Sequence, residues 1–386
     1  MNIPLHVYTE YDNLIRPVMM TAKLISIWPL ERNHRASAAL FRICHSFWLF
    51  FLFVTMCVTL TADVVYNFDD LDKMTECALI CFAFYLVVIR LVVYLLHHKD
   101  LQYVVEIMRE DWICSTYEDK IVLKEKCLFA FRLAKYFITL IAGTITAFAC
   151  IPILETCILG TERILPFRGH FFVNQTVSPV YEYLCVFNIM AGCFGGGVIA
   201  GATSFNFVAI IHGSAKFALV RKKLEAIKSD DPDVKIVVAN CVKLHHDAIT
   251  FADALERIIN IVALGQFVVS TGLVCFGGFQ VTSMMKNKVR LVKYSAFLNS
   301  TILELFMFSF SGNRLIDESD AVSESAYRSD WVGGTFGRSL QIVMMRSKVS
   351  NKITAAKFYS MSLESFSQVL STSFSYMMIL ISMKEE

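Results

Sequence analysis

Residues 357–386 read KFYSMSLESFSQVLSTSFSYMMILISMKEE: an apolar helical pattern with serines spaced along it, closing on Lys384, Glu385 and Glu386. Its polar positions Glu364, Gln368, Ser371 and Ser375 follow at steps of four, three and four, and the same steps reach Ile379 and Ser382. Residues so spaced share one helix face. The stretch is thus a membrane-length helix carrying a polar stripe that Ile379 interrupts. Polar residues in such a helix face a bundle interior or water, not lipid. Two readings follow. Serines let helices approach closely and bond one another. Alternatively, the stripe lines a wet path in which a ring of Ile gates by dewetting. Only the second also accounts for Glu364 and Gln368. One copy cannot enclose a path, but several subunits around an axis can. Glu385 and Glu386, with Asp69, Asp70 and Asp72 in an outside loop, would concentrate cations at its mouth.

Working back along the chain, six more stretches approach the roughly 20 apolar residues that a spanning helix needs. They run over 40–66 (with SFWLFFLFVTMCVTL), 75–96, 129–154, 180–211 (with FNIMAGCFGGGVIAGATSF), 255–281 and 291–310. Composition agrees. Of 386 residues, 55% are hydrophobic and 18% charged, with a mean hydropathy of +0.53. A soluble domain is about 45–50% apolar and about 25% charged. The net charge of +2 gives no basic surface, so no nucleic acid is expected as partner. The expected fold is all-α: a polytopic membrane protein of seven transmembrane helices.

Lys and Arg in the flanks set the orientation. Arg16, Lys23, Arg32 and Arg35 precede the first span; Lys99, Arg109, Lys120, Lys124, Lys126 and Arg132 lie between the second and third; Lys216, Arg221, Lys222, Lys223 and Lys228 follow the fourth. The N-terminus is therefore expected in the cytoplasm and the C-terminus outside. Lys286, Lys288, Arg290 and Lys293 break the pattern, falling in a loop that should be outside. The sequon Asn174-Gln175-Thr176 falls in an outside loop, which makes Asn174 the candidate glycosylation site. No cleaved signal peptide is read.

The expected divisions are a cytoplasmic N-terminus with an interfacial helix (1–39), spans one to four (40–212), a cytoplasmic helical assembly region (213–256), spans five and six (257–311), a mobile cytoplasmic loop (312–335), and an anchor helix with the seventh span (336–386). The apolar run before span one suits either the membrane interface or a packed surface. Val234, Val237, Cys241, Leu244, Ala248, Phe251, Leu255 and Ile258 form a heptad seam. It serves either a subunit contact, the reading favoured here, or a local helical hairpin. Residues 313–334 are acidic, Ser-rich and end in a Gly pair, which reads as a mobile loop.

No enzyme is expected. Glu182, Glu304, Asp63 and Arg90 are scattered, with no acid–base partner pattern. Most of the twelve Cys sit in apolar runs and read as small hydrophobes. Cys77 and Cys81 share a helix face but lack nearby His, so no metal and no cofactor are expected. The doublets His97–His98 and His245–His246 read as solvated loop histidines. A transporter would show paired broken helices or repeats, and none is visible.

The stretch SESAYRSDW, then GRSLQIVMMRSKVSNKITAAKFYSMSLESFSQVLSTSFSYMMIL, is similar to the C-terminal signature of insect odorant receptors. Tyr327, Trp331, Phe358, Ser362, Leu363, Phe366, Leu370, Ser375, Tyr376 and Leu380 carry the resemblance, which covers about the last sixty residues. It implies a subunit of a heterotetrameric, odorant-gated, non-selective cation channel formed with the shared co-receptor. That channel would sit in the plasma membrane of an olfactory neuron dendrite, surrounded by lipid. Ile379 then matches the hydrophobic gate, and Ser382 and Met383 match pore-mouth positions, which puts Gln368, Ser371, Ser375, Ile379, Ser382 and Met383 along the pore. The long cytoplasmic insertion of the co-receptor is missing, so the chain looks like a tuning subunit. The resemblance also implies an apolar pocket for a small volatile ligand in the outer half of the bundle. The candidates there are Ile80, Phe84, Tyr85, Thr146, Cys150, Phe187, Met190, Tyr294 and Phe297. Gly192, Gly196, Gly197 and Gly201 are expected to serve helix approach. A gustatory receptor is the nearest alternative, though the TYxxxLxQF-like pattern is missing. A G-protein-coupled receptor would need the opposite orientation.

Overall fold

The structure, a computed structural model, describes residues 5–29, 36–159, 163–285 and 287–385, with the side chains of 5–9, 157–159 and 385 left aside. Arg32, Arg35, Lys286, Glu386 and the side chain of Glu385 lie outside what is described. The chain forms α1 (Leu5–Leu24), α2 (Ala36–Tyr66), α3 (Leu71–Leu96), α4 (His98–Cys114), α5 (Tyr117–Leu159), α6 (Val180–Glu225), α7 (Val234–Ser283), α8 (Lys288–Arg328), α9 (Gly337–Ser347), a short hairpin of β1 (Thr354–Ala355) and β2 (Tyr359–Ser360), and α10 (Leu363–Glu385).

Six of these helices, α2, α3, α5, α6, α7 and α10, are long and apolar enough to cross a membrane. The remaining span read from the sequence lies in α8, which Asn299, Ser300, Thr301 and Glu304 make more polar. At about 1.5 Å per residue, α5 to α8 reach roughly 60–75 Å, twice the roughly 30 Å of a hydrocarbon core. They therefore extend beyond the bilayer and build a second, more polar layer with α4 and α9. The centre is α6. Its residues 200–215 are all buried, as befits a helix that is apolar all round. It packs most extensively on α5 and α8, while α10 rests on α7 and α8.

Three expectations are corrected here. Residues 313–328 are not a mobile loop: they continue α8, with Leu315, Glu318, Ser319, Val322, Ser325 and Ala326 buried. An inward face at steps of three and four was hidden among acidic and serine residues. Glu318 accepts from Lys126 at 2.9 Å and Arg221 at 2.7 Å. Burial works to raise its carboxyl, but these two cations overcome that and hold it below the usual range.

The heptad seam is spent inside the chain. Cys241, Ala248, Phe251, Leu255 and Ile258 are buried, and Phe251 and Leu255 lie so close to Gly213 of α6 that a Cβ there would sit 3.4 Å from each. These five residues join α7 to its own bundle and are not free for a neighbouring subunit, whereas Val234, Val237 and Leu244 are half-buried. His245 is a buried residue of α7, 4% exposed, facing the Phe217 ring; it is not a loop histidine.

The α1 segment packs on the bundle as well. Tyr11 lies against the Trp112 ring at 5.6 Å, and a Cβ at Gly197 or Gly201 of α6 would crowd Ile25 and Ala22 at 3.1–3.4 Å.

The hairpin braces the base of α10. Glu256 of α7 accepts from Thr354 N at 2.8 Å and from its hydroxyl. Asn260 O accepts from Ala356 N at 3.2 Å.

Candidate functional site

The loops α2–α3, α5–α6 and α7–α8 and the far end of α10 share one face of the bundle. Lys384 of α10 meets Asp72 of α3 at 2.7 Å, Arg290 meets Glu155 at 3.1 Å, and Lys293 meets Glu76 at 3.7 Å. These pairs also account for the cations that broke the charge pattern: Arg290 and Lys293 are answered by carboxylates of the same face.

Beneath that face lies an apolar cavity of about 90 Å³. Each helix presents one stripe to it. Ile80, Phe84 and Val87 come from α3; Ile141, Thr144, Ile145 and Phe148 from α5; Gly192, Gly195 and Gly196 from α6; Phe297, Ser300, Thr301 and Glu304 from α8. The steps of three and four are those of single helix faces. The roof is Phe167, from the α5–α6 connection. Its ring stacks on Phe148 at 5.7 Å and meets Phe84 edge-on at 6.2 Å. Asn188 fixes it by accepting from Phe167 N at 3.2 Å. Above Phe148, the Lys293 ammonium sits 4.3 Å from the ring centre, a favourable cation–ring contact.

Of the pocket residues read from the sequence, Ile80, Phe84 and Phe297 line this cavity. The others do not. Thr146 and Cys150 are exposed on the opposite side of α5 from Thr144 and Phe148. Tyr85 is 43% exposed, its hydroxyl 3.0 Å from Thr61 in a surface hollow with His170. Met190 is exposed on α6. Phe187 packs on Phe171 instead. Tyr294 is buried above the cavity, bonded to Glu76. The glycines divide: Gly192 and Gly196 line the cavity, whereas Gly197 and Gly201 serve the approach of α1.

The cavity floor is polar, and it brings together Arg90 and Glu304, which are scattered in the sequence. Arg90, fully buried, lies 2.7 Å from Glu304 Oε1. It also donates to Thr203 Oγ1 at 3.2 Å and to Gln266. Thr203 passes its own hydrogen to Glu304 Oε1 at 2.7 Å. Ionisable groups at this depth are costly unless paired, and mark functional positions. Two opposite charges in the middle of two apolar runs were the available signal. Periodicity could not pair them, because 214 residues separate them.

The second element is α10. Among its described side chains only Ser365, Val369 and Ser373 are buried on its own chain, at steps of four. Gln368, Ser371, Ser375, Ile379, Ser382 and Met383 are all exposed, Ile379 at 55%. Ser375 returns its hydrogen to Ser371 O at 3.0 Å, leaving its lone pairs outward. Among the described residues no cluster of His, Cys, Asp and Glu is arranged to hold a metal ion. Cys77 donates to Asp63 at 2.6 Å.

The family model for the 7tm odorant receptor matches residues 70–374. The chain is 23% identical to odorant receptor 13a of Drosophila melanogaster over 93% of each protein. Against the odorant receptor coreceptor of Aedes aegypti it is 27% identical, over 41% of this chain and 33% of that protein. Its fold is similar to the olfactory receptor OR5 of Machilis hrabei, solved in complex with eugenol, with a TM-score of 0.87, 14% identity and coverage of 97% and 99%.

Proposed function

This chain belongs to the 7tm odorant receptor family, and on that premise we propose that it is the odorant-tuning subunit of a heteromeric, odorant-gated, non-selective cation channel of the plasma membrane. The observation that carries the reading is the exposure of the α10 stripe. A polar stripe on a membrane-length helix needs cover other than lipid, and its own chain gives none to Gln368, Ser371, Ser375 and Ser382. Matching helices of neighbouring subunits around a wet axis supply it. Ile379, exposed in the same stripe, is the residue for an apolar constriction, and Met383 lies nearer the mouth. The long alignment to receptor 13a and the partial one to the co-receptor support a tuning role. The partner is then the co-receptor, in a tetramer within an olfactory dendrite membrane. Asn174, exposed on the loop face, is the glycan acceptor.

The ligand is a small volatile, apolar or aromatic, in the cavity roofed by Phe167. A cavity of about 150 Å³ holds benzene, and this one is smaller. Occupation therefore moves its walls, and it favours whichever channel state gives them room.

The test is electrical. Co-expressed with the co-receptor, Ile379→Ser should raise current in the absence of odorant, because the ring wets. Ile381→Ser, off the stripe, should not. Equal basal currents at matched surface expression would remove Ile379 from the gate.

A further inference from the structure

The polar atoms lining the cavity have spent their hydrogens. Thr301 donates to Phe297 O at 3.1 Å. Thr144 and Ser300 lie 3.0 Å apart, with the carbonyls of Leu140 and Ala296 at 2.9 and 2.7 Å. Two hydroxyl hydrogens serve those three contacts, so both are used within the protein. Glu304 takes Arg90 and Thr203 on Oε1, and its carboxylate has no hydrogen to give. Gly192, Gly195 and Gly196 are helical, their N–H groups engaged in α6. Every other lining side chain is a hydrocarbon. The lining side chains thus offer lone pairs and no donors; Arg90, whose Nε–H has no hydrogen-bond partner, is fully buried and does not itself line the cavity.

From this we infer that the cavity selects neutral hydrogen-bond donors, alcohols and phenols, over ethers, aldehydes and hydrocarbons of equal size. The inference rests on the odorant-binding reading and names its ligand class. An O–H aimed at Glu304 Oε2 or Thr301 Oγ1 finds a waiting acceptor. A carbonyl or ether oxygen meets other lone pairs with no water between them and stays unpaired, which is where buried polar groups lose most. A hydrocarbon leaves the floor as it is and gains only its apolar contacts. An ammonium is disfavoured by the Arg90 guanidinium, which already neutralises Glu304.

The probes are benzyl alcohol, para-cresol, benzaldehyde, anisole and ethylbenzene, which share one heavy-atom count. Binding is read as the thermal shift of the purified complex with its co-receptor, and current is read separately in cells. The two donors should bind at least about ten-fold tighter than the other three, a difference worth about 1.4 kcal/mol. Ser300→Ala/Thr301→Val should lower the affinity of the two donors several-fold relative to that of ethylbenzene. Selective binding of the donors without current would support the ligand class and overturn the channel reading instead. Benzaldehyde or anisole binding as tightly as its donor counterpart overturns the inference, as does a failure of both donors to bind up to their solubility.

Discussion

Lys384 Nζ, in the last turn of α10, lies 2.7 and 2.8 Å from the two carboxylate oxygens of Asp72 in the first turn of α3, with Ser283 Oγ of α7 3.1 Å away. The helix proposed for the pore is otherwise lightly held by its own chain, so this contact latches its far end to a helix that lines the apolar cavity. At the near end, Gly312 of α8 approaches Met361 so closely that a Cβ would come 2.2 Å from the Met361 carbonyl. One end of α10 is wedged by backbone and the other is tied by an exposed ion pair.

Exposed pairs are worth up to about 1 kcal/mol, so release of the latch should move gating by no more than about five-fold. Asp72→Asn and Lys384→Gln are each expected to shift half-maximal odorant concentration in the same direction. The exchanged pair Asp72→Lys/Lys384→Asp should return it towards the original. The shift should shrink at high salt. Unchanged dose–response curves in both single variants at low salt would show that the latch does not bias the channel.

Arg90 and Glu304 call for a different magnitude. Breaking a buried pair from one side costs about 3–5 kcal/mol, whereas apolar replacement of both partners is often neutral. Arg90→Met should therefore cut the yield of folded protein sharply. Arg90→Met/Glu304→Met should recover much of it, seen as a melting temperature above that of the single variant. A double variant worse than either single would mean that Gln266 and Thr203, not the charge pair, hold the floor.

His245 gives a pH dependence. Burial, then Arg346 and neighbouring His246, push its imidazole down to about 4. The unfolded chain titrates near about 6.5. Between those values the unfolded state binds the extra proton, so stability falls as pH drops below about 6.5 and levels off near 4. The full loss is on the order of 3 kcal/mol. Melting in detergent should drop by several degrees between pH 7.5 and 5, and His245→Gln should flatten that slope. An equal drop in the variant would assign the effect to other groups.

The seven spans were legible because about 20 consecutive apolar residues have few other uses, and the stripe on α10 was legible because its polar residues mark a period. The cavity was not. In α3, α5 and α6 almost every position is apolar, so periodicity carries little information about which side faces inward. Tyr85, Thr146, Cys150 and Met190 suit a pocket by depth and chemistry, yet they are exposed and do not line this cavity. Phe167 lies on a loop, where no period exists. The opposite error occurred in the polar layer. Residues 313–328 and His245 look solvated by composition, yet α6 and α7 need long helices to pack on beyond the membrane, and these residues provide the buried faces.

Gly196 separates packing from binding. A Cβ there would fall 1.8 Å from Ile145 Cδ1 and 3.3 Å from Ile141 Cγ2, both on the cavity wall. The Ile145 side chain, whose Cγ1 would also lie 2.9 Å away, has to turn aside, and the new methyl group takes part of a space of only about 90 Å³. Overpacking costs about 1–3 kcal/mol, and Ala in place of a helical Gly returns about 1 kcal/mol. Gly196→Ala should therefore reach the surface nearly as well as the original chain while weakening every ligand, the bulkiest most. Gly201→Ala is the control, since its Cβ would meet Ala22 and Ile25 of the α1 segment at 3.2–3.4 Å and no part of the cavity. It should lower expression and leave the order of ligand potencies alone. Dose–response curves for a graded series of alkyl-substituted phenols in both variants decide the matter. The same potency order in Gly196→Ala as in the original chain would place the ligand outside this cavity.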